Sequence, residues 1–242
     1  MARTLINHVF EVINILLKII TFNYYKKKLF HSVVQISFFS LPVVFLTSFF
    51  TGAVLTMQAS AGLSFLAGPE TLSKIVVSAI VRELGPVLTG LMISGRIASA
   101  LAAEISTMKV SDQIEALKTL RINPVKFLVV PKIVASLISM PILITVSNFI
   151  AFFGSWTVAT FHLKYNSVLY TYTMFTHLKL FDFNIGVMKS VMFGFIITYI
   201  GTSFGLNSDG SSSGVGKSTT RAVVVSSILI LVCNYVITYS FF

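Results

Sequence analysis

The chain has 242 residues, 55% of them hydrophobic and only 11% charged, and a mean hydropathy of +0.88. A soluble domain runs near 25% charged and has no core able to absorb this much apolar surface, so the composition calls for lipid as solvent. The formal charge of +10 reads as basic loops beside membrane spans rather than as a nucleic-acid surface, and the single cysteine and four scattered histidines exclude a disulfide framework and a metal cluster.

In chain order, residues 1–28 come first. Arg3, Asn7, Glu11, Asn14 and Lys18 recur at steps of three or four, opposite Leu5, Ile6, Val9, Ile13, Leu16 and Ile20. This spacing predicts an amphipathic helix in the membrane interface, ending at Lys26-Lys27-Lys28. Its polar breaks and the absence of a small-residue cleavage site argue against a signal peptide.

A five-span core is predicted over 34–242. The first span covers about 34–60, followed by a short loop at 62–73. The second covers about 74–108 and is followed by a polar, amphipathic stretch at 109–123. The third starts near Pro124, a good first-turn residue, and runs to about 161. A Tyr- and Lys-rich loop covers 162–184, the fourth span about 185–206, a Gly/Ser loop 207–218, and the fifth span about 219–242. The whole reads as one all-α polytopic membrane domain.

Basic residues set its orientation. One side receives Arg3, Lys18, Lys26, Lys27, Lys28, Lys109, Lys118, Arg121, Lys126, Lys132, Lys217 and Arg221; the other receives Lys74, Lys164, Lys179 and Lys189. The positive-inside rule then puts the N-terminus and the 109–123 segment in the cytoplasm and the C-terminus outside.

The second span holds residues that lipid does not tolerate: Arg82, Glu83, Arg96 and Glu104. Each costs about 2.5–3.5 kcal/mol at a helix centre on insertion scales, so they should face protein or a wet cavity. On an ideal helix Arg82 and Arg96 lie about 40° apart, on nearly one face. Adjacent Arg82 and Glu83 cannot pair with each other, and Pro86 loosens the backbone just after them. Gly95, Ser99 and Ala103 form a small-residue seam that would admit another helix. Two readings of the charges stand side by side: buried structural ion pairs, or a transport path lined by Glu83.

In "KVSDQIEALKTLRINP", Val110, Ile114, Leu117 and Leu120 make an apolar stripe, with Asp112, Glu115, Lys118 and Arg121 elsewhere. The segment is either a helix resting on the membrane or one that docks into a partner. Mixed charge on its polar face favours docking.

"GSSSGVGKSTT" invites comparison with a nucleotide-binding loop. The motif requires glycine, four residues, then Gly-Lys-Ser/Thr, and the glycine position falls on Ser211, with Gly210 one place early. No strand precedes it. It is predicted to be a loop, with Ser218 or Thr219 capping the fifth span.

"RELGPVLTGLMISGRIASALAAEISTMKVSDQIEALKTLRINPVKFLVVPKIVA" resembles the MlaE family of ABC-transporter permeases, and "GVGKSTTRAVVVSSILILVCNYVIT" is similar to that family's last cytoplasmic loop and last helix. The likeness covers about 30–242, and its wording resembles alphaproteobacterial members. It implies a homodimeric permease with an N-terminal interfacial helix, five spans and a cytoplasmic coupling helix. It also implies a cytoplasmic ABC ATPase that binds ATP-Mg, periplasmic MCE-domain subunits, often a STAS-domain protein, and phospholipid as cargo. Such complexes move lipid between the inner and outer membranes and support outer-membrane asymmetry. The expected home is a Gram-negative inner membrane, with a plastid membrane as the second choice. No cofactor is expected on this chain, which would not itself be an enzyme.

By that resemblance the family's cavity glutamate falls on Glu83, with Arg82 before it, and its fourth-span lysine on Lys189. The coupling helix falls on about Val110 to Arg121, engaging the ATPase through Asp112, Ile114, Glu115, Leu117, Lys118 and Arg121. Leu55 and Leu63 would hold acyl chains. Lys217 stands where arginine is common, a small change if only charge matters. The competing reading is a stand-alone channel or ion-coupled secondary transporter, with Arg82, Glu83 and Arg96 as its path.

Overall fold

A computed structural model describes residues 26–62 and 68–241. The expected interfacial helix over 1–28 lies outside them up to residue 25, as does Leu63. Helix is the only regular structure among the described residues. Five helices are long and apolar enough to cross a membrane: Leu29–Gly62, Pro69–Val110, Val125–His162, Leu180–Leu206 and Ser212–Phe241. The chain is an all-α polytopic membrane protein.

Several boundaries differ from the sequence reading. Lys26, Lys27 and Lys28 lie in a helix, Lys26–Ser37, that leads into the first span. The second span starts at Pro69, whose fixed φ and missing N–H suit a first helical turn. The stretch 162–184 is not all loop. It holds the helix Ser167–His177, capped by Asn166, whose side chain accepts from the N–H groups of Val168 and Leu169. The fifth span starts at Ser212, so Gly214-Val215-Gly216-Lys217-Ser218 is helical and no phosphate loop exists there. Ser218 is not a cap. It is buried and its hydroxyl lies 2.8 Å from the Val215 carbonyl and 2.7 Å from the Ser106 hydroxyl, while the N–H of Gly214 donates to Ser211.

Two π turns, Ile80–Leu84 and Val125–Val129, each end two residues before a proline, Pro86 and Pro131. A proline ring crowds the carbonyl four residues back and offers it no donor. A wider turn relieves that crowding. A third π turn, Ser94–Ala98, contains Arg96. The second span therefore departs from 100° per residue twice between Ile80 and Ala98, and the ideal-helix argument placing Arg82 and Arg96 on one face does not hold.

The described residues fall into two compact units, with each span contributing to both. One holds 26–39, 94–139 and 194–229; the other holds 40–62, 68–93, 140–193 and 230–241. In the first unit, the second and fourth spans run parallel in close contact. A Cβ added at Gly201 would meet the Ala98 backbone, and one at Gly205 would meet Ile105 and the Ala102 carbonyl. Lys109 donates to the carbonyls of Leu206 and Ser208, placing a cation on the negative end of the fourth span.

In the second unit, the first and third spans share one parallel register. Ser48 meets Ser147 at 2.8 Å, Gly52 meets Ala151, and Thr56 donates to Ser155 at 2.7 Å. Each series advances by four residues, so one face of each helix carries only small side chains. The Thr89 hydroxyl donates to Ser147, and Ser155 bonds the Tyr170 hydroxyl, which ties in the second span and the Ser167–His177 helix. Tyr170 is fully buried in an apolar cluster with Leu72, Val76, Phe152 and Met174, and burial pushes its phenol above its ordinary pKa.

Candidate functional site

Pro86 has no N–H to give to the carbonyl four residues back, that of Arg82. Lys189 takes the place of that donor, with Nζ 2.7 Å from the Arg82 oxygen. Its other two protons reach Glu83 Oε1 at 3.0 Å and Thr238 Oγ1 at 2.9 Å. All three ammonium donors are used, which is what a side chain with 0% exposure requires.

Glu83 is the other half of the network. Its Oε1 also accepts from Thr238 at 2.8 Å, and its Oε2 accepts from Asn234 Nδ2 at 2.8 Å. Asn234 and Thr238, one turn apart on the fifth span, thus grip one carboxylate. Unlike the lysine, Glu83 remains 36% exposed. A half-wet carboxylate backed by a dry ammonium can face a polar ligand without either charge being stranded.

Arg82 does not pair with Glu83, as the helix geometry required. Its Nε sits 3.0 Å from Oδ1 of buried Asp182. Asp182 and Lys189 are seven residues apart, two turns along one face of the fourth span. Gly186 lies between them, and a Cβ there would come within 3.1 Å of the Val81 carbonyl. The Asp182–Gly186–Lys189 face therefore lies directly against the Val81–Arg82–Glu83 turn, and two ion pairs fasten it.

The structure brings together Arg82, Glu83 and Lys189 from the predicted set. Leu55 stands half-buried against the cluster around Leu72, and Leu63 lies outside the described residues. Sequence reasoning missed Asp182, Asn234 and Thr238. A signal existed for two of them: Asn234 is an amide within an apolar run, and Asp182 precedes Lys189 by two turns.

The segment after the second span forms the helix Gln113–Thr119. Asp112 breaks the chain into the left-handed region at φ 56°, which separates this helix from Val110. The stripe is accordingly shorter than the spacing suggested. Ile114 is buried and Leu117 half-buried, while Val110 belongs to the second span and Leu120 lies beyond the helix end; both are exposed. Asp112, Glu115, Lys118 and Arg121 all face outward. Lys118 and Glu115 pair at 2.7 Å, with side chains 55% and 60% exposed. Such a pair adds little, so Lys118→Ala is expected to change stability by less than about 0.5 kcal/mol, read from denaturant unfolding of the detergent-purified chain.

Among the described residues, no close helix contact falls on the expected seam at Gly95, Ser99 and Ala103. Gly95 is exposed, and a Cβ there would meet nothing within 4 Å. The close contacts fall instead on Ala98 and Ala102, a different stripe of the same helix.

The permease MlaE family model matches residues 29–240. A probable ABC transporter permease of Rickettsia typhi is 45% identical over 203 residues, 84% of this chain and 78% of its own length. One of Synechocystis is 36% identical over 203 residues, 84% of this chain and 77% of the relative. One of the red alga Porphyra purpurea is 40% identical over 185 residues, 76% of this chain and 70% of the relative.

Proposed function

We propose that this chain, which belongs to the MlaE permease family and is the permease subunit of an ABC transporter, carries phospholipid between the inner and outer membranes of a Gram-negative cell. The observation that carries this reading is the Glu83–Lys189 network. A carboxylate and an ammonium are held at membrane depth, fully bonded on the protein side, with the carboxylate one-third open. Ionisable side chains within a span face protein or a wet cavity and commonly mark a substrate or ion path. A zwitterionic headgroup suits such a path, and moving it would serve outer-membrane lipid asymmetry.

Two copies would enclose the lipid path, with Arg82, Glu83 and Lys189 toward the headgroup and Leu55 and Leu63 toward the acyl chains. ATP-Mg would be bound by a cytoplasmic ATPase, and MCE-domain subunits, with or without a STAS-domain protein, would complete the assembly. The basic-residue bias places the N-terminus in the cytoplasm and the C-terminus in the periplasm. The Gln113–Thr119 helix would then meet the ATPase through Asp112, Glu115, Lys118 and Arg121, with Ile114 and Leu117 anchoring it to the permease. The second span ends at Val110, directly before that helix, so a push there acts on the stretch of chain that carries Glu83.

Reconstitution with the ATPase in liposomes tests this. Leu117→Pro breaks the docking helix and is expected to abolish ATP-driven transfer of fluorescent phospholipid while the five spans stay folded by circular dichroism. Glu83→Lys should do the same by placing a second cation against Lys189. Transfer that survives both changes overturns the reading. Ion-driven flux with no ATPase present would favour a secondary transporter instead.

A further inference from the structure

Among the described residues, two helices stand apart from the spans, Gln113–Thr119 and Ser167–His177. Their outward faces differ in kind. The first shows Glu115 and Lys118, with side chains more than half exposed. The second shows Val168, Tyr172 and Phe175, which are 79%, 69% and 60% exposed. These three fall within about 60° of one another around the helix, opposite buried Tyr170, Thr173 and Met174. No Asp, Glu, Lys or Arg occurs between Ser167 and His177. A helix side that faces water carries polar and charged residues. This helix is apolar on both sides, and exposed apolar surface of that kind marks a contact with protein or membrane.

Its position and its polar atoms point to membrane. Only 163–166 separate it from the end of the third span, and only 178–179 from the start of the fourth. The Tyr170 hydroxyl bonds Ser155, seven residues and about 10 Å inside the third span's end at His162. Tyr170 also packs with Leu72 and Val76 of the second span. The helix therefore lies along the sides of the spans, level with their ends, and is not suspended beyond them. The hydroxyls of Thr171, Thr173 and Thr176 donate to the carbonyls of Ser167, Tyr170 and Tyr172. Asn166 accepts from the first N–H groups, and Trp156 Nε1 donates to the Ser167 hydroxyl. Polar groups closed within the protein need no water, which is the arrangement lipid imposes. Lys164 and Lys179, both exposed, stand just outside the two ends of the helix. The Trp156 and Phe161 rings meet edge to face beside it, with centroids 6.0 Å apart. Aromatic rings and long cations gather at a membrane–water boundary, where each keeps its apolar part in lipid and its polar tip in water.

We propose that Ser167–His177 is an interfacial helix seated in the leaflet where the third span emerges. Val168, Tyr172 and Phe175 lie among the upper acyl carbons, and Lys164 and Lys179 reach the lipid phosphates. The partner of this face is the bilayer itself. The opposite face holds Leu72 and Val76, eight and four residues ahead of the Ile80–Leu84 turn in the same span. The helix thus ties the start of that span, and with it the turn carrying Glu83, to a fixed depth in the leaflet. This holds whatever the transporter carries.

The test is site-directed fluorescence of the full chain in vesicles of phosphatidylethanolamine and phosphatidylglycerol. Cys233, the single cysteine, is changed to serine. Bimane is then attached at Tyr172→Cys, at Phe175→Cys or, as the aqueous reference, at Lys118→Cys. Lipid brominated near the carbonyl end of its acyl chains should quench the labels at 172 and 175 and leave the one at 118 bright; aqueous iodide should do the reverse. Bromine near the methyl end of the chains should quench 172 and 175 less, because the helix lies at the surface and does not cross. Tyr172 and Phe175 are both exposed, so neither cysteine removes a buried contact, and each reads the face independently. Iodide quenching at 172 and 175 as strong as at 118 overturns the proposal, since the face would then stand in water. So does protection from both quenchers, which would put protein over it.

Discussion

Glu83→Ala is expected to destabilise the protein by about 3–5 kcal/mol, the cost of stranding a buried charge. Lys189 has 0% exposure and would keep only the Arg82 carbonyl and Thr238 as partners. The double change Glu83→Ala with Lys189→Met should recover most of that loss, because apolar side chains need no partner at this depth. Denaturant unfolding in detergent reads both. A double variant as unstable as the single one would show that the ammonium is not what makes Glu83 necessary. Transport separates structure from function: a stable double variant that loses ATP-driven transport in the reconstituted assay assigns the pair a role beyond holding helices together.

Gly52→Val should be comparably damaging for a different reason. A Cβ at Gly52 would collide with the backbone of Ala151, and at Gly154 with that of Phe49. Overpacking against side chains costs about 1–3 kcal/mol because they can turn aside. Backbone has no such freedom, so Gly52→Val should reach or exceed the top of that range. Separating the two helices would also cost the Ser48–Ser147 and Thr56–Ser155 hydrogen bonds. Gly95→Val is the control, with open space at its Cβ, and should fall within about 0.5 kcal/mol of wild type. Equal melting temperatures for the two variants would refute the close-contact account.

The contrast between these glycines shows how far a pattern can be read. Ser48, Gly52 and Thr56 recur at steps of four in the sequence, as do Gly95, Ser99 and Ala103. Both are small-residue stripes, yet among the described residues the close helix contact falls on the first. Spacing states what a helix face could accept; the partner face, here Ser147, Ala151 and Ser155, decides whether it is used. The Ser167–His177 helix was obscured by its Tyr- and Thr-rich composition, which favours strand, and its stability comes from burying Tyr170 and Met174. The start of the fifth span at Ser212 was hidden by Gly214 and Gly216, poor helix formers; Gly214 and Ser218 are nonetheless buried, and the Ser106–Ser218 contact ties this turn to the second span.

Sequence by itself determined the solvent, the five spans, the helix after the second span and the presence of costly charges at Arg82, Glu83, Arg96 and Glu104. These follow from hydropathy and local periodicity, which act over one or two turns. Tertiary structure decided who answers those charges. Asp182, Lys189, Asn234 and Thr238 lie about 100 to 155 residues from Arg82 and Glu83 along the chain. Pro86 opens a carbonyl to which Lys189, over 100 residues away, donates. A buried charge must be paired, but which partner reaches it depends on helix register, and π turns reset that register where no simple period can be read.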